Sequence, residues 1–490
     1  MIEIEIQNVN CIAKGAEKYP VVMQCLETLS PGYQYTYLFK SGKWNGKVNL
    51  FNKNTFPTGL LSVIFATIEE FKIPYTIVDN RVVKEIELHS SPVNLRGYQE
   101  EVVNKCLYNM WGNTWWPRGV IQVATGGGKT EIAADIICKV NVPTMFLVHR
   151  QDLETQALER FLPYGIDAGP LDSNHDQLVT VTTIQSLMSW NMEFAKNYET
   201  AEGEKVERSD EWLERKNKKQ IEKANYIKSR LEGIDQVFID EAHLVAAKAE
   251  NMNMFSTALS LMPNAYMRWG LTATPFLRDK LHNWMLEGAT GPALAHITNR
   301  ELIDMGYLSE AFIDMFIMPK DDNLPKSWPS CYEYGIITHK KRNAQIVDCY
   351  ATYPGPTLIL VSKIGHGTLL ENLLSKAGFT VPFIDGTSSK AERNKVKEDL
   401  KSGKLKGAIV STIWDEGIDI ANIGTVILAG GGKSEIKNLQ RLGRGLRRSD
   451  GKPDLRLVDF LDSSPTILKR HSAIREKLWK DQGFTLNYHR

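Results

Sequence analysis

Gly119-Val120-Ile121-Gln122-Val123-Ala124-Thr125-Gly126-Gly127-Gly128-Lys129-Thr130 is the stretch on which the fold turns. Its first five residues read as an apolar strand, and the chain opens a helix at the lysine. Between them, glycines let successive backbone N–H groups close around phosphate oxygens, and the helix N-terminus adds a favourable field. Thr125, Gly126, Gly127 and Gly128 would form that cradle. Lys129 would reach the β- and γ-phosphates of ATP, and the Thr130 hydroxyl would hold Mg²⁺. The strict G-x-x-x-x-G-K-[S/T] pattern fails at one place, where Val123 stands for the first glycine. A glycine turn with a purely structural purpose is the competing reading of this loop taken alone.

The same strand-then-helix rhythm extends in both directions. Thr144-Met145-Phe146-Leu147-Val148 and Gln236-Val237-Phe238-Ile239-Asp240 are short apolar strands, the second ending on a carboxylate. The rhythm returns at Thr357–Val361, Gly407–Ser411 and Thr425–Ala429. Such runs alternating with helices predict parallel sheets covered on both faces. One sheet could hardly hold them all, so two α/β domains are expected, over 89–290 and 291–465, with residues 466–490 as a helical tail. Residues 1–88 read as a separate small α/β domain, without which the other two are expected to fold. In it, Ile2-Glu3-Ile4-Glu5-Ile6 alternates as a strand, and Tyr33–Phe51 is expected to be two strands joined by Ser41–Gly46. A charged segment, 191–233, interrupts the first large domain. It reads either as a solvated helical insertion or as an arm that touches nucleic acid or a partner.

A chain of 490 residues predicts three or four domains. Lys+Arg 59 against Asp+Glu 58 excludes a globally basic nucleic-acid binder but leaves room for a locally basic groove. The longest apolar runs fall short of the ~18 residues of a membrane span, and the N-terminus reads as a strand rather than a secretory signal. The six cysteines, far apart and without CxxC spacing, read as free thiols of a reducing compartment. A cytoplasmic protein with no membrane partner is the expectation.

Two further motifs carry chemistry. Asp240-Glu241-Ala242-His243 follows its strand directly. An Asp at the carboxyl end of a sheet strand, beside a phosphate loop, suits Mg²⁺ coordination, and the adjacent Glu241 is placed to take a proton from an attacking water. Gln440-Arg441-Leu442-Gly443-Arg444-Gly445-Leu446-Arg447 supplies cations. Arg444 and Arg447 would share a helix face and serve as arginine fingers on a γ-phosphate, with Gln440 beside them. A solvated basic helix is the plain alternative.

Together these residues resemble the superfamily 2 helicases, DEAH-box branch, over about 93–465. Leu95-Arg96-Gly97-Tyr98-Gln99 is similar to the family's adenine-reading motif, Phe146–Arg150 to motif Ia, Thr182–Leu187 to motif Ib, Thr272-Ala273-Thr274-Pro275 to motif III and Glu416-Gly417-Ile418-Asp419 to motif V. The resemblance implies two RecA-like parallel-sheet motor domains and an ATP hydrolase coupled to nucleic-acid unwinding. It places Arg96 and Gln99 on the adenine, and Gly417 and Asp419 on ribose or phosphate. Thr272 and Thr274 would couple the ATP site to the nucleic-acid groove. Arg150, Thr183, Thr387 and Thr412 would lie on the sugar–phosphate backbone, giving position rather than sequence.

The N-terminal domain, with Gly42-Lys43-Trp44-Asn45-Gly46-Lys47 and Pro57-Thr58-Gly59-Leu60, resembles that of UvsW-type phage recombination helicases. Lys40, Lys43, Lys47 and Lys53 cluster around a hairpin bearing Trp44 and Phe51, and Lys43, Trp44 and Lys47 become candidate DNA contacts; a core Trp44 with merely solubilising lysines is the plain alternative. Branched or forked DNA, Holliday junctions and R-loops with their RNA–DNA hybrid are the implied partners, with a monomer favoured and the host cytoplasm as location if phage-encoded. An RNA helicase and a non-hydrolysing nucleic-acid-binding scaffold are the alternatives.

Overall fold

The alternation at the N-terminus becomes a strand, Ile2–Ile6, that buries its three isoleucines and turns its glutamates outward. It is the centre of a four-stranded sheet ordered Thr55–Pro57, Asn10–Lys14, Ile2–Ile6, Tyr75–Asp79. In the computed structural model the described residues are 1–173, 175–189, 222, 225–245, 249–273, 279–321, 323–325, 327–411, 423–432 and 454–490. The chain divides into two compact units, Met1–Val123 with Gly128–His296, and Ala124–Gly127 with Ile297–Arg490.

Each unit contains a seven-stranded sheet. In the first unit's sheet the order is Ala168–Pro170, Val179–Thr183, Thr144–Val148, Gln236–Ile239, Met267–Thr272, Arg118–Val123, Ala293–Ile297. The pairings from Ala168–Pro170 through Arg118–Val123 are all parallel. Five of its strands, Arg118–Val123, Thr144–Val148, Val179–Thr183, Gln236–Ile239 and Met267–Thr272, are buried at every position, as in a parallel sheet covered on both faces. The second unit repeats the plan with Phe383–Ile384, Gly407–Val410, Thr357–Leu360, Thr425–Ile427, Leu455–Leu461, Ala311–Ile317 and Thr485–His489, parallel throughout. Two parallel α/β sheets preceded by a small α/β module is the architecture expected. No helix among the described residues is long and apolar enough to cross a membrane. All six cysteines are free thiols.

Three local expectations are corrected. Tyr33–Phe51 is not a strand pair: Tyr33–Tyr35 is a 3-10 turn and Tyr37–Lys40 a short helix, while the paired strands are Glu27–Leu29 and Lys47–Asn49. The alternating aromatics imitate a strand, but Thr36 caps the helix by accepting the Phe39 N–H, so local hydrogen bonding prevails. Residues 466–490 are more than a helical tail. After the helix Thr466–Asp481, Thr485–His489 joins the second sheet beside Ala311–Ile317. That helix buries Arg475 and Trp479 against Asp459, which accepts from both.

The third correction concerns the independence of the N-terminal module. Its core of Ile2, Ile4, Ile6, Leu60, Leu61 and Ile64 is continuous with Trp116 and Trp284, which belong to the larger sheet's own segment of chain. Arg118, fully buried, donates to the backbone carbonyls of Asn8 and Thr290, stitching module and sheet together. Asn8 in turn donates to Pro263 O. At Gly59 the two backbones touch: a Cβ there would lie 1.8 Å from the Glu287 carbonyl oxygen. The module and the first sheet form one folding unit.

Deleting residues 1–88 is therefore expected to uncover both tryptophans and strand the Arg118 guanidinium, yielding an aggregating chain rather than a free-standing motor; size-exclusion chromatography with dye binding reads this. The milder Gly59→Ala change should lower the thermal midpoint by roughly 5 °C or more, because the opposing atom is backbone and cannot swing aside. An unchanged midpoint would refute the backbone contact.

Candidate nucleotide site and nucleic-acid contacts

A parallel sheet brings the carboxyl ends of its strands to one edge, where open α/β sheets hold their ligands. Three neighbouring strands end there: Arg118–Val123 before the glycine loop, Met267–Thr272 in the middle, and Gln236–Ile239 before Asp240. The glycine loop turns sharply. Gly126 and Gly128 take left-handed φ values of 86° and 77°, and the helix Lys129–Val140 starts directly after them. Val123, the departure from the strict motif, is buried sheet core, a position where a glycine is not required.

Gln99 lies against this loop. It is buried, and its side-chain oxygen accepts the Arg96 N–H at 2.8 Å, capping the helix Gly97–Leu107. A Cβ on Gly128 would sit 2.2 Å from its Nε2. Arg96 donates to the Tyr98 hydroxyl at 3.4 Å. Gln99 thus lies between Arg96 and Gly128, the residue that precedes Lys129 and Thr130.

The acidic pair is held with unequal electrostatics. The Asp240 backbone N–H donates to Leu147 O, and its carboxylate accepts the Glu241 N–H at 2.9 Å. Burial and the neighbouring Glu241 charge push the Asp240 carboxyl up to about 6. For Glu241, burial works in the same direction but is outweighed by His243, Lys129 and His149, which hold its carboxyl down at about 2. Glu241 is thereby kept anionic. Its φ of 48° is a left-handed conformation rare outside glycine and asparagine, the kind of strain that functional sites keep. His243 Nδ1 stands 3.3 Å from Glu241 Oε2 and 3.3 Å from Thr272 Oγ1. Thr272, at the end of the middle strand, is the junction between the acidic pair's histidine and the sheet. His149 was read only as part of motif Ia. Its position, one residue past the strand that flanks Gln236–Ile239, is the signal that places it near the acidic pair.

Chemically, this edge offers a cation, a helix N-terminus and an anionic base to a nucleotide triphosphate. For a divalent metal, the Thr130 hydroxyl and the Asp240 carboxylate are the available oxygens. Among the described residues no group of three His, Cys, Asp or Glu could hold a metal unaided. That donor set suits Mg²⁺, which commonly takes one or two protein oxygens together with phosphate oxygens and water.

The nucleic-acid candidates separate. Arg150 lies 3.2 Å from Asp152. Thr183 is buried, and its hydroxyl is used locally: it accepts the Ser186 N–H and donates to Ser186 Oγ. Thr387 is exposed, with its hydroxyl donating to Asp385. Lys43 is exposed, but Trp44 is half-buried and donates its indole N–H to Lys47 O, and Lys47 is paired with Glu27 at 2.6 Å. Gln440, Arg444, Arg447, Gly417, Asp419, Thr412, Thr274 and most of 191–233 lie outside the described residues.

Two families match the chain: "Type III restriction enzyme, res subunit" at residues 92–277 and "Helicase conserved C-terminal domain" at 341–449, together more than half of it. The chain is 26% identical over 416 residues to "Putative helicase 22" of Sulfolobus islandicus filamentous virus, covering 77% of this chain and 66% of that one. It is 24% identical over 501 residues to "ATP-dependent DNA helicase uvsW" of Enterobacteria phage T4, covering 93% and 89%. The chain thus spans just under two thirds of the first relative's length and most of the second's. Among solved structures, a fragment of a putative HsdR subunit of a type I restriction enzyme from Vibrio vulnificus superposes with a TM-score of 0.56 at 18% identity, over 81% of this chain and 69% of that one. That likeness is one of fold.

Gly128→Ala is expected to weaken adenine-nucleotide binding about tenfold or more, since the methyl both strains a left-handed residue and displaces Gln99. Titration with a fluorescent ATP analogue measures it; unaltered affinity would remove Gln99 and Gly128 from the site.

Proposed function

Because the chain belongs to the superfamily 2 helicases, we propose that it is an ATP-driven DNA helicase or translocase that remodels branched DNA such as forks, Holliday junctions and R-loops. The observation that carries the reading is the single sheet edge where Lys129, Asp240, Glu241, His243 and Thr272 follow three adjacent parallel strands. In this reading Arg96 and Gln99 take the adenine, and Thr125–Lys129 hold the phosphates. Glu241, directly after the strand-end Asp240, receives the proton of the attacking water. Mg²⁺, held by Thr130 and Asp240, would neutralise charge on the phosphate oxygens. His243 and Thr272 relay the state of this carboxylate into the sheet.

Gln440, Arg444 and Arg447 fall within the segment matched by the helicase C-terminal family, and we assign the two arginines to the γ-phosphate. Gly417 and Asp419 of the same segment are assigned to the ribose or phosphate. Arg150, Thr387 and Thr412 are assigned to the sugar–phosphate backbone. Thr183 is assigned a supporting part there, since its hydroxyl already caps the chain that follows. DNA is preferred to RNA because of the phage relative's name and the N-terminal module that accompanies it.

Lys129→Ala should lose ATP affinity and turnover together. Glu241→Gln should keep ATP affinity while turnover falls about 10²–10⁴-fold, because the base is gone but the phosphate contacts remain. Normal turnover by either variant would sink the assignment. Arg444→Ala is expected to bind ATP and to lose about 10³-fold of its DNA-stimulated hydrolysis; retained stimulation would shift the role to Arg447. ATP-dependent processing of matched forks, Holliday junctions, plain duplexes and RNA duplexes decides the substrate. Preference for the RNA duplex would overturn the DNA reading.

A further inference from the structure

The connection between the strands Glu27–Leu29 and Lys47–Asn49 builds a small aromatic cluster of its own. Tyr33 and Phe39 meet edge to face at 4.7 Å, and the Tyr33 ring covers Gly46 so closely that a Cβ there would fall 2.4 Å from it. Trp44 is tied down by its bond to Lys47 O. These rings are half-buried and account for the shape of the connection. Tyr35 and Tyr37 do not belong to that cluster. They are 76% and 75% exposed, with Leu38 beside them at 52%. Single exposed apolar residues are ordinary; three large exposed side chains within four residues of one internally braced connection call for an occupant.

Charge identifies the occupant. From residue 28 to residue 68 the chain contains four lysines, Lys40, Lys43, Lys47 and Lys53, and no aspartate or glutamate, although the whole chain is almost neutral. Lys47 is paired with Glu27 from outside this stretch. Lys40 and Lys43 are exposed, and among the described residues no carboxylate pairs with them. A protein-binding patch is characteristically depleted in lysine at its core. Exposed aromatic faces next to unpaired cations match a strand whose bases are unstacked and whose phosphates need neutralising. An intact duplex would present phosphates to the lysines but no base face to the tyrosines.

We propose that the connection Ser30–Gly46 is a docking tip for unpaired DNA bases, with Tyr35 and Tyr37 stacking on bases and Lys40 and Lys43 meeting the adjoining phosphates. The proposal rests on the DNA-remodelling reading and narrows its N-terminal contact from Trp44 and Lys47 to residues that are free to make it. Because the module shares a core with the first large sheet, a strand held at the tip is held by the unit that carries Lys129 and Asp240.

The test uses the full chain and measures binding to a labelled single-stranded oligothymidylate, a fork with single-stranded arms, a blunt duplex, and single-stranded RNA. Tyr35→Ala/Tyr37→Ala should weaken the single strand and the fork about tenfold while leaving the blunt duplex within about twofold. Tyr35→Phe/Tyr37→Phe should restore binding, since the ring rather than the hydroxyl is used. Lys40→Ala/Lys43→Ala should instead flatten the salt dependence on the single strand by about 1.4, at ~0.7 per phosphate. Unchanged single-strand affinity in the alanine pair, equal losses on duplex and single strand, or a loss confined to RNA would each overturn the tip. Both tyrosines are exposed, so their truncation removes no core packing, and a thermal melt checks this. Wild-type ATP turnover without any stimulation by DNA would overturn the parent reading instead, so the two failures are distinguishable.

Discussion

The constraint behind the rest of this molecule is that parallel strands all point the same way. A run of antiparallel strands would divide its loops between two edges of a sheet. Here the strands Arg118–Val123, Met267–Thr272 and Gln236–Ile239 lie side by side and deliver their loops to one edge. The glycine loop lies more than a hundred residues of chain before the acidic pair and Thr272, yet the register leaves them no other place to be. Burial at that edge then sets the chemistry. It raises Asp240, while the cations around Glu241 hold its charge in place, so two adjacent carboxyls acquire different characters.

The N-terminal module obeys a different constraint, that of the close approach of two surfaces. Gly59 permits backbone contact with Glu287, Trp116 and Trp284 complete the module's core, and Arg118 bonds to carbonyls on both sides. Leaving that guanidinium unpaired in an apolar interior would be costly, because burial already drives its charged form toward disfavour. The interaction is strong because neither partner is complete without the other.

How much was readable follows from how local each signal is. Arg118–Val123, Thr144–Val148 and Gln236–Ile239 announce themselves as apolar runs, and the glycines with Lys129 and Thr130 announce the loop, since each needs only its neighbours in sequence. The fold class and the position of the glycine loop at a strand end were therefore legible. Arg118 was not: a charged residue at the head of a strand looks like surface, and only residues 8 and 290 reveal its burial. Tyr33–Tyr37 alternates like a strand, but the cap at Thr36 overrules the pattern. Thr485–His489 is too short and polar to stand out, and it forms because Ala311–Ile317 offers an open edge. Lys47 looked like a free cation until Glu27, twenty positions earlier, turned out to face it.

The shared core also bears on how such chains can be recombined. A module joined by a linker can be exchanged between relatives as a cassette. This one cannot be transplanted alone, since a recipient would have to supply two tryptophans, a strand-borne arginine and a helix whose backbone tolerates the touch of Gly59. Those features are scattered from residue 116 to residue 287, so a crossover between the module and the sheet separates it from all of them. Inheritance of the module is tied to inheritance of the sheet beneath it, and substitutions on the two sides of that seam are expected to travel together.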